Sequence, residues 1–250
     1  MIAVREGGNP GSDLHLWMIH GLGDSSRNFD EAFDDSALAD FHLFAPDLPG
    51  FGNSPASPDG YTIASVAGLL RAEIGKRSAG ARIVLLGHSI GGLIVTRIAR
   101  RAGARIRGVI SVEGNLTRAD TFVSGRALEY DQGDGFHRDL VAEAEAKCDR
   151  LPLLERHYET LRKADPTTFW ALGRSAASET GESAAGEAFA ALPHAKIYYW
   201  GTNSTPESTR VFLITNRIEQ RSLEGSGHWP MLDAPGLFYG MVGEDVSRMG

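Results

Sequence analysis

The sequence has little of several features that would indicate specialised classes of protein. It contains a single cysteine, Cys148, so an internal disulfide is excluded. No apolar run approaches the roughly 20 residues needed to span a bilayer. The first residues also lack the cationic start and apolar stretch of a signal peptide. We therefore expect a soluble cytoplasmic protein without membrane contact.

Charge of either sign is not concentrated anywhere along the chain. The 25 basic and 32 acidic residues give a formal net charge of −7 without the basic patch of a nucleic-acid-binding protein. The patterns HExxH, GxxxxGK[ST] and paired cysteines are absent as well. The sequence predicts a small-molecule substrate, with no nucleic acid, no metal and no organic cofactor, and it leaves the oligomeric state open.

Short apolar runs alternate with amphipathic segments of helical length, which is the pattern of βαβ units in a largely parallel sheet. The predicted strands are residues 14–19, 41–47, 82–87, 106–113, 195–201 and 218–225. The predicted helices are residues 62–77, 90–103 and 206–217. We expect an α/β fold in which helices flank a mostly parallel central sheet.

The segment of residues 115–189 has a different character. It is rich in Ala, Glu, Arg and Ser, and it contains helical stretches such as DLVAEAEAKC and LLERHYETLRKA but no strand-like run. Strands resume at Ala195, so this inserted segment interrupts the sheet without ending it. We predict a core domain of residues 1–114 and 190–250 and a helical insertion of residues 115–189.

The segment GHSIGG, residues 87–92, follows a predicted buried strand and opens a predicted helix. This setting is that of the nucleophile elbow, in which a tight turn flanked by glycines presents a serine. The helix N-terminus behind the serine can stabilise negative charge with its free N–H groups. Ser89 is therefore a candidate nucleophile; the alternative is a serine that only caps the helix.

Two further segments could complete a site for acyl transfer. HGLG, residues 20–23, follows the strand 14–19, and its backbone could approach an oxyanion, although it could also be an ordinary tight turn. The amides of Leu22 and Ile90 are the candidate oxyanion donors. His228, in the loop SGHWP after the last predicted strand, could accept the proton of Ser89.

Together these segments resemble the α/β-hydrolase fold superfamily. HGLG, APDLPGFGNS, GHSIGG and GHWPMLDAP match its pattern in order and spacing over residues 14–114 and 195–239. The resemblance implies a serine hydrolase whose oxyanion donors are the amides of Leu22 and Ile90. It also implies a structural role for Asp47 and a helical cap formed by the inserted segment over the pocket.

The expected acid of the catalytic triad departs from the commonest pattern of the superfamily. That pattern has an Asp shortly after the strand 195–201, where this chain has TNST. Some members, including a group of dehalogenases, carry the acid after the strand that here ends in Glu113. Glu207 is the alternative acid, but it could equally favour the dipole of the helix that it begins, with Thr205 as N-cap. We favour Glu113.

These residues predict hydrolysis of a carboxylic ester, lactone or thioester through an acyl-enzyme on Ser89, with His228 as base and Glu113 orienting it. In the superfamily, haloalkane dehalogenation and epoxide opening use an aspartate nucleophile, so the serine argues against both. Two alternatives stay open: cleavage of a C–C bond beside a ketone, and a ligand-binding protein that keeps the fold with weak catalysis.

Overall fold

The computed structural model describes residues 2–57, 61–101, 105–148 and 154–250. One sheet contains the strands β1 (Val4–Gly8), β2 (Leu14–Ile19), β3 (His42–Pro46), β4 (Arg82–His88), β5 (Ile106–Val112), β6 (Ala195–Gly201) and β7 (Glu219–Leu223). Their spatial order is β1-β3-β2-β4-β5-β6-β7. Only the β1–β3 pair is antiparallel. The predicted mostly parallel sheet is confirmed.

The helices follow the strands in the order expected of βαβ units. They are α1 (Ile63–Arg77), α2 (Ile90–Ala99), α3 (Gly133–Cys148), α4 (Leu154–Leu161), α5 (Pro166–Thr180), α6 (Ala184–Ala190), α7 (Glu207–Thr215), α8 (Pro230–Asp233) and α9 (Pro235–Met249). The start of α1 shows why a helix begins at that point in the sequence. Thr62 accepts from the Ser65 backbone N–H at 3.0 Å, and Ser65 accepts from the Thr62 N–H at 3.0 Å, which forms a capping box.

Two elements of the structure were not predicted from the sequence, and one helix ends earlier than expected. The edge strand β1 was not predicted, because VREGG is partly exposed and ends in two glycines, so it lacks an apolar run. The C-terminal helix α9 was not predicted either. The helix predicted over residues 90–103 ends at Ala99, and residues 102–104 lie outside the described part of the chain.

The sheet has an apolar core on each face, because successive side chains of a strand point to opposite sides. On β2, Trp17 and Ile19 pack with the helices α1 and α2, whereas Leu16 and Met18 pack with α9. All six residues of β2 are buried, as expected for a central strand covered on both faces. Because β2, β4, β5 and β6 run parallel to one another, their carboxyl ends lie at one edge of this covered sheet.

The described residues between β5 and β6 form helices and short 3₁₀ turns but no strand. The turns are Arg118–Thr121 and Ser124–Glu129, and the helices are α3 to α6. Helix α5 begins at a capped turn, where the Asp165 side chain accepts from the Thr168 N–H at 2.8 Å and Pro166 occupies the first turn.

A buried carboxylate joins α9 to the sheet. Asp245 is fully buried and accepts from the hydroxyl of Tyr199 on β6 at 2.6 Å. It also accepts from Arg221 on β7 at 2.7 and 3.1 Å and from Arg248 at 2.9 Å. Burial alone would raise the pKa of Asp245, but the Arg221 and Tyr199 bonds more than offset it, so its pKa lies below the usual value.

We predict that Asp245→Ala lowers the free energy of unfolding at pH 7 by on the order of 3 kcal/mol, because it leaves the buried Tyr199 hydroxyl and the Arg221 guanidinium without their partner, whereas Arg248 keeps its ion pair with Glu219. Since folding depresses the Asp245 pKa, its contribution is present above about pH 4 and is lost as the pH falls below that value. Urea unfolding at pH 7 and pH 3 measures both effects.

The matched control is Asp13→Ala, which breaks an exposed ion pair with Arg82. Exposed pairs contribute about 0–1 kcal/mol, so this variant should unfold nearly like the wild type at both pH values. Equal losses for the two variants at pH 7 would contradict the structural role of Asp245.

Candidate active site

Ser89 occupies a strained turn between β4 and α2. Its backbone has φ 53° and ψ −124°, a conformation that a residue with a Cβ adopts only at a cost. The turn is tight on both sides. A Cβ at Gly87 would lie 2.3 Å from the Gly91 carbonyl oxygen, and a Cβ at Gly91 would lie 2.4 Å from the Ile19 carbonyl oxygen. These glycines allow α2 to begin directly behind the serine.

The geometry is against the alternative in which Ser89 only caps α2. Ser89 stands at the N-cap position, but its side chain makes no capping hydrogen bond. Its backbone N–H donates to the Val112 carbonyl oxygen at 2.9 Å, which ties the turn to the end of β5. The hydroxyl is therefore not committed to stabilising the helix.

The structure brings His228 and Glu113 together. The Nδ1 atom of His228 lies 3.3 Å from Oε2 of Glu113, although the two residues are 115 positions apart in the chain. Glu113 also has a positive φ of 48°, which turns the chain as it leaves β5. Burial lowers the pKa of His228, and the contact with Glu113 opposes this shift.

The end of β6 and the loop after it support Glu113 instead of supplying an acid. The Gly201 N–H donates to Oε1 of Glu113 at 2.7 Å, and the Thr205 hydroxyl donates to the same oxygen. Glu113 is 6% exposed. Burial would raise its pKa, but the bonds from His228, Thr205 and Gly201 outweigh burial and hold the pKa below its usual value.

Glu207, the alternative acid, does not contact His228 in the structure. It is exposed in the first turn of α7, the position at which an acidic side chain favours the helix dipole. The expected capping by Thr205 is wrong: α7 begins at Glu207 with Pro206 as its N-cap, and the Thr205 hydroxyl bonds to Glu113. The sequence could not reveal this bond, which joins residues 92 positions apart.

A cavity of about 410 Å³ lies at this edge of the sheet. Ser89 and His228 both line it, but no hydrogen bond joins their side chains in the structure; such bonds often tighten only when substrate binds. The inserted segment supplies much of the apolar wall, including Phe122, Val123, Leu140, Leu161 and Phe169. A cavity of this size suits a small or medium organic molecule.

Leu22 and Ile90, the candidates for the oxyanion site, also line the cavity. Neither backbone N–H donates to another residue in the described part of the chain. The loop before Leu22 runs close to the elbow, since a Cβ at Gly21 would lie 3.1 Å from Cβ of Ser89. The geometry is therefore compatible with two free N–H groups beside the serine.

Asp47, expected to be structural, holds backbone in place. Its carboxylate accepts from the Ser26 N–H at 2.7 Å and from the Asn53 N–H at 2.8 Å. It is buried and is not among the residues that line the cavity.

A further buried carboxylate, Asp24, was not among the residues that the sequence predicted for the site. It is 1% exposed and contacts Nδ1 of His157 at 2.7 Å and Nε1 of Trp229 at 3.3 Å. Nδ1 of His88 lies 3.3 Å away. Burial would raise the Asp24 pKa, but the contacts with His157 and His88 outweigh burial and hold the pKa well below its usual value. Its position directly after HGLG was the one available signal.

Two other features are absent from residues 2–57, 61–101, 105–148 and 154–250, which the structure describes. No group of three or more His, Cys, Asp or Glu side chains is arranged to hold a metal ion in those ranges. No helix within them is long and apolar enough to cross a membrane.

Comparison with known proteins gives the family. The sequence profile of the alpha/beta hydrolase family matches residues 18–240. The chain belongs to this family. Among curated proteins, Protein ABHD8 of Bos taurus is 36% identical over 105 residues, which are 41% of this chain and 24% of that protein. The bifunctional biotin biosynthesis protein BioHC of Cellvibrio japonicus is 33% identical over 101 residues, which are 40% of this chain and 18% of that protein.

These matches span at most about a quarter of the curated relatives, so the activities of those proteins do not transfer to this alpha/beta hydrolase. Solved structures match over almost the whole chain. A thermophilic esterase from Thermogutta terrifontis has a TM-score of 0.79 at 19% identity, covering 99% of this chain and 93% of the esterase. The N-acyl homoserine lactonase AidH has a TM-score of 0.78 at 22% identity, with coverage of 99% and 93%. At identities this low, the structural match shows a shared fold and nothing more.

The strained turn of this alpha/beta hydrolase generates a prediction about stability. Ser89→Gly and Ser89→Ala both remove the hydroxyl, but only glycine adopts the observed φ without strain. We expect the glycine variant to have a free energy of unfolding higher than that of the alanine variant by on the order of 1 kcal/mol. Urea unfolding of the two proteins measures the difference. An alanine variant at least as stable as the glycine variant would show that the turn carries no strain.

Proposed function

We propose that this protein is a serine hydrolase that cleaves a carboxylic ester, including lactones and thioesters, of a small to medium organic substrate. The observation that carries the proposal is the strained, uncapped Ser89 on the wall of the same cavity as a His228 that faces Glu113. Strain of this kind is retained where function needs it.

The proposed mechanism assigns one role to each group. Because Nδ1 of His228 faces the Glu113 carboxylate, the ring proton belongs on Nδ1, and Nε2 is left as an acceptor. His228 then takes the proton of Ser89 as the hydroxyl oxygen attacks the acyl carbon, and returns it to the leaving alcohol or thiol. Glu113 stabilises the imidazolium that forms between these steps. Water, activated by His228, hydrolyses the acyl-enzyme.

The oxyanion of the tetrahedral intermediate needs N–H donors already in place. We assign this role to the backbone N–H groups of Leu22 and Ile90, which have no other partner among the described residues. Ile90 also begins α2, so the helix dipole favours negative charge at the same point. The site thus requires no metal for acyl transfer.

We propose further that the inserted segment of residues 115–189 acts as a cap. Its apolar side chains form the wall of the cavity facing Ser89, so they would contact the acyl chain. In this proposal the core of residues 1–114 and 190–250 supplies the catalytic groups, and the cap determines substrate selectivity.

The nucleophile is tested by covalent labelling. A fluorophosphonate probe should modify Ser89, because the oxygen of an activated serine attacks the phosphorus and displaces fluoride from the probe. Ser89→Ala should abolish both the labelling and the turnover of p-nitrophenyl butanoate. Mass spectrometry of the labelled peptide and absorbance of nitrophenolate measure the two effects. Labelling that survives the substitution would defeat the assignment, and a wild-type protein with no turnover above the Ser89→Ala background would indicate a ligand-binding protein.

The triad acid is tested by two isosteric substitutions. Glu113→Gln keeps the shape of the side chain but no longer fixes the His228 tautomer or its charge, so we expect kcat to fall by roughly 10⁴-fold. Glu207→Gln is the control, since it changes only an exposed helix terminus and should keep turnover nearly intact. Kinetics with p-nitrophenyl butanoate distinguish them. The reverse outcome would make Glu207 the acid.

A further inference from the structure

The loop that carries the Leu22 N–H has little freedom. A Cβ at Gly21 would lie 2.8 Å from Oδ2 of Asp24, and Gly23 has a φ of 81° that favours glycine. The proposed oxyanion donor therefore lies between two residues whose backbone is set by their surroundings. A shift of this loop by about 1 Å would cost on the order of 100-fold in rate, because the N–H must point at the developing charge.

One helix of the inserted segment contacts this loop at two consecutive residues. His157 on α4 lies with Nδ1 at 2.7 Å from Oδ1 of Asp24, and the Thr160 hydroxyl lies 2.9 Å from the Gly23 carbonyl oxygen. The two α4 residues are three positions apart, so they share one face of the helix. The Thr160 hydroxyl is also 2.9 Å from the His157 carbonyl oxygen and 3.2 Å from that of Arg156, so its single proton has a choice of three acceptors.

The Asp24 contact is a buried one. The Asp24 carboxylate is 1% exposed, and the side chain of His157 is 15% exposed. Trp229, the residue after His228, donates to the other oxygen of Asp24 from Nε1 at 3.3 Å. A buried carboxylate that loses a donor is costly to leave uncompensated, so its loop would be expected to move.

From these contacts we propose that His157, acting through Asp24, is a positioning residue that sets the oxyanion loop of residues 20–24 from the inserted segment. The inference rests on the proposed ester hydrolysis. In this proposal the position of the Leu22 N–H depends on the position of α4. The same helix therefore helps to enclose the substrate and completes the oxyanion site. In this arrangement the group of His157 that bonds to Asp24 is Nδ1–H, while its ring packs against that of Trp229 with the centroids 4.8 Å apart.

The role of Nδ1 defines the variants. Asparagine places an N–H donor near the position of Nδ1, glutamine places one nearer to Nε2, and leucine has no donor. With p-nitrophenyl butanoate, we expect His157→Leu to lower kcat by about 10- to 100-fold with a nearly unchanged KM. His157→Asn should recover most of the loss, and His157→Gln should not. Asp24→Asn should resemble His157→Leu.

A second readout separates positioning from general structural support. A boronic acid inhibitor forms a tetrahedral adduct on Ser89 and mimics the transition state, so its affinity depends on the oxyanion donors. The inhibition constants of the variants should rise in proportion to their loss of kcat/KM. Thermal unfolding of each variant confirms that it folds; if Asp24→Asn does not fold, the His157 series alone decides the outcome.

The matched control is Arg156→Gln, which changes the neighbouring residue of the same helix. Arg156 forms two bonds to Glu31 at 2.8 and 2.9 Å and joins α4 to the core without touching the oxyanion loop. We expect this variant to keep its kcat and its boronic acid affinity. A loss equal to that of His157→Leu would mean that any loosening of α4 has this effect, and the inference would be overturned.

The remaining outcomes are also decisive. Recovery by glutamine and not by asparagine would assign the role to Nε2 and overturn positioning through Asp24. An active wild type whose His157→Leu variant keeps its kcat and inhibitor affinity would overturn the inference and leave the proposed function intact. A wild type without ester turnover and without labelling of Ser89 would overturn the proposed function and this inference together.

Discussion

The close approach of α2 to the end of β4 is the constraint on which the site depends. Glycines at positions 87 and 91 make this approach possible. A Cβ at either position would lie within 2.4 Å of a backbone carbonyl oxygen. The turn leaves Ser89 at a positive φ of 53° with its hydroxyl uncommitted. Since β2, β4, β5 and β6 are parallel neighbours, their carboxyl ends all lie at this same edge. Every other group of the candidate site is placed relative to that turn.

Parallel strand ends also explain how a carboxylate after β5 can serve as the proposed triad acid in place of one after β6. The commonest pattern of the family has an Asp after β6, whereas here Glu113 follows β5, the adjacent strand in the sheet. Gly201 at the end of β6 and Thr205 in the loop after it then donate hydrogen bonds to that carboxylate. A buried carboxylate at this edge needs such donors wherever it originates, because burial alone disfavours its charge. The exchange therefore keeps a charged group facing His228.

The sequence was sufficient for features that depend on local order. Strands with continuous apolar runs, such as β2 and β4, were predicted, and so was the strand–turn–helix setting of Ser89. Features that depend on contacts between distant residues were not. The edge strand β1 gains its order from pairing with β3, and the Thr205 and His157 contacts join residues 92 and 133 positions apart. No periodicity in the chain records such pairs, so only the fold reveals them.

Two buried carboxylates contact the segment that contains His228 at neighbouring residues. Glu113 faces the His228 ring, whereas Asp24 accepts from Trp229 at 3.3 Å. In addition, Nε2 of His88 donates to the His228 carbonyl oxygen at 2.7 Å. Three different segments therefore fix this region: the end of β5 contacts the His228 side chain, the elbow contacts the His228 backbone, and the loop that contains Asp24 contacts Trp229. A histidine in a loop needs such support, because loops are otherwise the least constrained part of a fold. The polar residues around Ser89 therefore form one connected network in which the proposed base and the proposed oxyanion loop share Asp24.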